Sequence, residues 1–154
     1  MSEIVLSHKG ICHKDISGMK ELSGDIFALE KISFKHPWSI DNISAELAKE
    51  TSLCMASFYG DEMAAACCFS RTLDEAELLR ICVSPEHRRE GLASVLLDLA
   101  LKNLATIGVT SVFLEVRKTN GPAIALYKKH GFYTISERKN YYGDCDALVM
   151  KRNM

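Results

Sequence analysis

The chain has no stretch able to cross a membrane as a helix. Its longest plainly apolar run is MAAACCF, Met63–Phe69, against the roughly 20 residues a bilayer requires. Proline is scarce, at three residues, and no Pro/Gly/Ser-rich segment, low-complexity tract or internal repeat divides the chain. All of residues 1–154 are therefore expected to form one domain. The opening MSEIVLSHKG does not pass from basic to apolar as a signal peptide does, so a cytoplasmic protein without membrane attachment is expected. Among Cys12, Cys54, Cys67, Cys68, Cys82 and Cys145, no pair has CxxC spacing and none stands near a histidine at zinc-ligand spacing. They read as reduced, mostly buried small side chains, with no disulfide and no metal.

An excess of charge is also missing. Lys and Arg number 19 against 20 Asp and Glu, a net charge of -1, which argues against a general nucleic-acid binder. The charge is unevenly spread: residues 1–75 carry 7 basic and 12 acidic side chains, and residues 76–154 carry 12 and 8. Such a division is open to chance. It also suits a protein that holds an anion with its second half and receives a cation with its first.

Hydrophobic residues make up 47% of the chain, enough for a sizeable core. EIVLSH has the look of a first strand, and residues from about Asp15 to Phe34 have loosely helical spacing. Ser39, after the break at HPWS, is placed to cap a helix through Glu50 with Ile40, Ile43 and Leu47 on one face. SLCMASFYG and MAAACCFS flank a Gly-Asp turn and read as a hairpin. AELLRICV reads as a central strand, apolar on both faces. Leu92, Val95, Leu96, Leu99 and Leu104 recur at three and four, a strong helix signal. In SVFLEV, Val112, Leu114 and Val116 share one strand face, while Phe113 and Glu115 share the other. Asn120 can cap a short helix with Pro122 in its first turn and Gly131 beyond its end. YTISERK and DALVMKR are expected to be closing strands. The fold class is α/β (α+β): a mixed central sheet flanked by helices.

Between AELLRICV and the leucine-rich helix lies RREGLA, Arg88, Arg89, Glu90, Gly91, Leu92 and Ala93. The first amides of a helix have no intrahelical partner, and the helix dipole is positive there. Small residues at Gly91 and Ala93 leave those amides reachable by a phosphate, and two arginines add charge beside them. The stretch is neither a Walker loop nor GxGxxG. Taken alone, it is as well explained by a glycine at a helix start flanked by solvated arginines.

A second stretch, LEVRKTNGPAIALYKKHGF, puts a carboxylate, Glu115, on a strand and a phenol, Tyr127, on the next helix. A carboxylate at the mouth of a sheet can act as a general base, and a tyrosine hydroxyl can give a proton to a leaving group. The plainer alternatives are a strand glutamate paired with Arg80 or Arg117, and a partly buried aromatic beside Ile124.

Together, ICVSPEHRREGLASVLL and the second stretch resemble the Gcn5-related N-acetyltransferase (GNAT) superfamily. Arg88–Ala93 looks like its R/Q-x-x-G-x-G/A motif. Asn120, Ala123, Ile124, Leu126, Tyr127, Gly131 and Phe132 match its second pattern. HPWS, LEVR and RKNYY followed by DALVM are similar, more narrowly, to bacterial enzymes that acetylate the N-terminal alanine of small-subunit ribosomal protein eighteen. The resemblance implies acetyl-CoA as co-substrate, bound where the central strands splay. Its pantetheine arm would run along Ile81, Cys82 and Val83, and its pyrophosphate would lie on Arg88–Ser94, with Asn120 nearby.

It further implies direct transfer, with Glu115 taking the proton of the amine and Tyr127 protonating or holding the thiolate sulfur. Cys82 would not carry the acyl group. Trp38, Tyr141 and Tyr142 would wall the peptide slot, although packing of a loop on the core would also explain them. His36, His87 and His130 receive no role. The expected partner is a ribosomal protein N-terminus as substrate, with no direct nucleic-acid binding. Two rival classes stay open: a small-amine acetyltransferase, which calls for an enclosed pocket, and a non-catalytic acyl-CoA-binding module, against which the pair Glu115 and Tyr127 speaks.

Overall fold

The computed structural model describes residues 10–154, so the strand expected over EIVLSH lies outside the described residues. Within them, one seven-stranded sheet runs in the order β1-β2-β3-β4-β5-β7-β6. The strands are β1 (Ile11–Asp15), β2 (Ser52–Tyr59), β3 (Glu62–Thr72), β4 (Glu75–Val83), β5 (Ser111–Arg117), β6 (Tyr133–Arg138) and β7 (Ala147–Asn153). The helices are α1 (Ser23–Ser33), α2 (Ile40–Ala48), α3 (Leu92–Thr106) and α4 (Gly121–Lys129). Neighbouring strands are antiparallel except β4 and β5, which α3 connects as a crossover helix must.

Local chemistry accounts for several boundaries. Ser39 caps α2, accepting from the Asn42 N–H at 3.1 Å, but the helix ends at Ala48 rather than Glu50. Tyr59 and Glu62 pair across a two-residue turn whose first central residue, Gly60, has φ 58°, a conformation that glycine enters without strain. Asn120 caps α4, its Oδ1 accepting from the Ala123 N–H at 3.2 Å, and Pro122 sits in the first turn, where no N–H is needed. The helical spacing over Asp15–Phe34 resolves into a 3-10 turn at Lys20–Leu22 followed by α1.

Two apolar clusters sandwich the sheet. One packs α3 and α4 on it through Leu92, Leu96, Leu97, Leu104, Val112, Leu114 and Tyr127. The other packs α1 and α2 on the opposite face through Leu29, Ile43, Leu47, Cys54, Phe58 and Cys82. Val112, Leu114 and Val116 are buried on one face of β5 as expected. Two expectations fail. Val95, read as part of the α3 stripe, is 38% exposed. β4, read as a central strand apolar on both faces, is central but leaves Leu79, Arg80, Ile81 and Val83 only half-buried. All six cysteines are free thiols, four of them buried.

Candidate active site

β4 and β5 stay paired only through Glu75–Ser111, Ala76–Val112 and Glu77–Phe113. Beyond Glu77 the two strands part. On the other edge of β4, Cys68 of β3 opposes Arg80 and Phe69 opposes Leu78, which leaves Leu79 as an unpaired extra residue. A bulge of this kind bends the strand that carries it, so β4 swings away from β5. The β5-side edge of Ile81–Val83 therefore has no strand partner among the described residues. Unpaired backbone groups there can receive an extended, amide-bearing ligand in the manner of an added strand. The Arg88 Nε–H reaches the Val83 carbonyl at 3.4 Å. The Cys82 thiol faces the α1/α2 cluster, only 8% exposed. Burial first, and the Glu30 charge second, push its pKa up to about 12, so it is a thiol and not a nucleophile at neutral pH.

Past β4 the backbone turns through Arg89 (φ 64°) and Gly91 (φ 79°), both left-handed, into α3. A Cβ on Gly91 would meet no atom within 4 Å. The glycine therefore answers to backbone conformation, and the space before it is open to a ligand. No side chain caps α3, and its first turn holds no acidic residue. The amides of Leu92, Ala93 and Ser94 are thus left for an anion. Leu92 is buried and anchors the turn, while Arg88 and Arg89 are exposed. Several neighbouring side chains are committed within the protein. The Glu90 carboxylate accepts from the Tyr59 hydroxyl and lies 3.7 Å from His87, which stacks on Tyr59. Ser94 Oγ pairs with His130 Nε2 at 2.8 Å, and the Asn120 side chain is spent on its cap.

Glu115 stands on the face of β5 opposite the α3/α4 core, its side chain 17% exposed. It pairs with neither Arg80 nor Arg117. Arg138 of β6 approaches its Oε1 at 3.2 Å, and its Oε2 is buried without a hydrogen-bond partner among the described residues. The nearby Glu115 carboxylate is the main cause that raises the Tyr141 pKa. Tyr142 is raised by burial first and by Glu115 second. Burial pushes Tyr127, 6% exposed, up to about 12, with a smaller contribution from Tyr142. Glu115 of β5 thus acts on Tyr142 of the β6–β7 loop, and Tyr142 acts on Tyr127 of α4. The loop is held by Arg117, which is 2.8 Å from Asp144 and lies over the Tyr142 ring at 4.4 Å.

Trp38 lies in the α1–α2 loop. Lys35 of that loop is the last of the contributions that hold Asp144 below the usual carboxylate range, after Arg117 and the backbone. The Trp38 N–H donates to Glu30 Oε2 at 3.3 Å, and its half-buried ring packs toward the α1/α2 cluster. On the Glu115 face lies an open concavity of about 290 Å3, lined in part by Glu75, Glu77, Phe113, Glu115 and Arg138. Sequence reasoning missed Arg138. Its one signal is a basic residue just ahead of NYY, and its partner depends on the β5–β7–β6 register.

Residues 23–132 match the model of the acetyltransferase (GNAT) family. The chain is 37% identical over 126 residues to the [ribosomal protein bS18]-alanine N-acetyltransferase of Salmonella typhimurium, covering 79% of this chain and 84% of that protein. Its fold is similar to the crystal structure of the ribosomal-protein-S18-alanine N-acetyltransferase from Escherichia coli, with TM-score 0.86 and 31% identity over 93% of each chain. It is also similar to Ard1 from Thermoplasma volcanium, with TM-score 0.84 and 26% identity over 94% of this chain and 98% of that one.

Proposed function

Because the chain belongs to the GNAT acetyltransferase family, we propose that it acetylates protein N-termini, with the alanine-first N-terminus of ribosomal protein bS18 as its substrate. It is an acetyl-CoA-dependent N-acetyltransferase. The residues present fit acetyl-CoA. The uncapped first turn of α3 and the exposed Arg88 and Arg89 suit a pyrophosphate, and the free edge of Ile81–Val83 suits the amides of a pantetheine arm. When bound, acetyl-CoA supplies an acetyl group on a thiolate of modest leaving ability.

Deprotonating the acceptor and aligning it are then the main tasks of the protein. A protein α-amine has a pKa of about 7.7–8.0 and is mostly protonated at neutral pH. The Glu115 carboxylate takes this proton, directly or through a water. Its place on the lining of the open concavity, with the side chain 17% exposed, is the observation that carries the proposal. Tyr127, held protonated by burial, gives a proton or a hydrogen bond to the departing sulfur. Backbone amides of Ile81–Val83 orient the thioester carbonyl. Tyr141 and Tyr142 on one loop and Trp38 on the other bound the slot. The open concavity with Glu75 and Glu77 favours a peptide carrying basic residues over a small enclosed amine.

The test is turnover with acetyl-CoA and three kinds of acceptor: the alanine-first bS18 peptide, the same peptide with its α-amine blocked, and polyamines. Acetylation of the free-amine peptide alone is the expected result. Activity on polyamines alone would keep the family chemistry and overturn the substrate.

A further inference from the structure

Arg80 links three parts of the acceptor side. It sits on β4 immediately after the unpaired Leu79, so the bulge turns it toward α1. There its Nε and Nη2 donate to the two oxygens of Glu30 at 3.0 and 3.1 Å. Nη2 also donates to the His36 carbonyl at 2.9 Å, and the guanidinium plane lies 4.4 Å from the Phe34 ring centre and 5.1 Å from that of Trp38. Glu30 is 1% exposed and accepts from the Trp38 N–H as well.

We propose that Arg80 is a positioning residue for the acceptor, fixing the Phe34–Trp38 loop against β4 so that Trp38 closes one side of the slot. This rests on the acetyltransferase reading above and deepens it.

The physical case is that nothing else on β4 spans this distance with so many fixed directions. A guanidinium presents its donors in a rigid fork. Here two prongs meet a buried carboxylate and one also meets a loop carbonyl, while two aromatic rings lie near the charge. The loop therefore takes its place from the same stretch of β4 whose bend opens the strand edge at Ile81–Val83. A cavity of about 30 Å3 beneath, lined by Glu30, Trp38, Arg80 and Cys82 among others, leaves the indole room to shift once the fork is removed. Arg80 itself is not in the group formed by Glu115, Tyr142 and Tyr127, so its loss should act on acceptor binding and not on proton transfer.

Removing Arg80 alone would leave the Glu30 charge buried and unpaired, which is strongly destabilising. The test therefore uses Glu30→Gln/Arg80→Met, which removes both charges and keeps an acceptor for the Trp38 N–H. Arg80→Lys serves as the conservative variant. Trp38 is the only tryptophan, so its emission and its quenching by acrylamide report the loop directly, without any substrate.

Three results are expected of the double variant: emission shifted to longer wavelength with more quenching, acceptor KM raised about tenfold or more, and kcat and acetyl-CoA affinity within about twofold of the parent. Arg80→Lys should recover part of the KM. Parent-like emission and acceptor KM in the folded double variant would overturn the proposal. So would a fall in kcat at unchanged KM. If the parent acetylates polyamines and not the peptide, the substrate reading has failed on its own. Arg80 is then judged by Trp38 emission and by the KM of the amine that is turned over.

Discussion

Arg138 on β6 touches one oxygen of Glu115 on β5 at 3.2 Å, and the other oxygen is buried with no hydrogen-bond partner among the described residues. The arginine holds the carboxylate by one atom, with the glutamate side chain 17% exposed on the lining of the open concavity. Glu115→Gln keeps the shape and removes the proton acceptor. Its kcat should fall roughly a hundredfold at pH 7, with acetyl-CoA affinity unchanged. The deficit should shrink above about pH 8, where the free amine forms without help. A pH series of kcat for parent and variant checks this. Arg138→Gln should lose less, because it disturbs the orientation of the base and not its identity.

Tyr127 should act as an acid throughout the accessible pH range. Its protonated form is the useful one, so activity that depends on it is lost as pH rises through its pKa. Burial puts that pKa at about 12. The parent rate should therefore show no alkaline fall near 10, the value of an ordinary tyrosine. Tyr127→Phe should lower kcat about tenfold or more while leaving thermal stability nearly unchanged, since the ring still packs edge-on to Phe132. Melting curves and rates on the same samples separate the two effects.

At the start of α3, conformation and charge can be tested apart. Gly91 at φ 79° would charge any side chain the left-handed penalty, about 1–2 kcal/mol. Gly91→Ala should thus lower stability by that order, and Gly91→Val should also raise the KM for acetyl-CoA by filling the open space before the amides. Arg88→Ala and Arg89→Ala should raise the same KM without the loss of stability. The KM of each arginine variant should respond less steeply to salt than that of the parent, because one fewer phosphate contact is screened.

How far these features were legible in advance depends on their range. Caps at Ser39 and Asn120, the Gly60 turn and the inward side of β5 are local, set by residues a few positions apart, and they stand where expected. The α3 stripe was found but not its edges. A three-four repeat marks Leu96 and Leu104, both 0% exposed, yet equally admits Val95 at 38%, because the width of the buried stripe is set by the sheet beneath. The bulge at Leu79 has no glycine or proline to announce it, so β4 read as an ordinary buried strand. Its consequence, the splay, came only by resemblance. Glu115 stands on β5 as expected, but its partner was not foreseen, since Arg138 reaches it through two strand registers.

Acid should weaken the fold through two histidines. His13 is 5% exposed, with Nδ1 2.7 Å from Ser57 Oγ, and burial lowers its pKa. His130, bonded to Ser94, is also lowered, again chiefly by burial. A histidine whose folded pKa is depressed binds its proton more readily when unfolded. The stability it contributes is therefore present above about pH 6.5 and declines as pH falls through that value toward the folded pKa. Glu30 works in the opposite direction. Its carboxyl is raised by burial against the pull of Arg80, so it favours the fold as pH falls through the carboxylate range. Chemical denaturation between pH 7.5 and 5.5 should show stability dropping with pH, and His13→Gln should flatten that slope. A parent whose stability is constant over this interval would place both histidines in environments that accept the proton without cost.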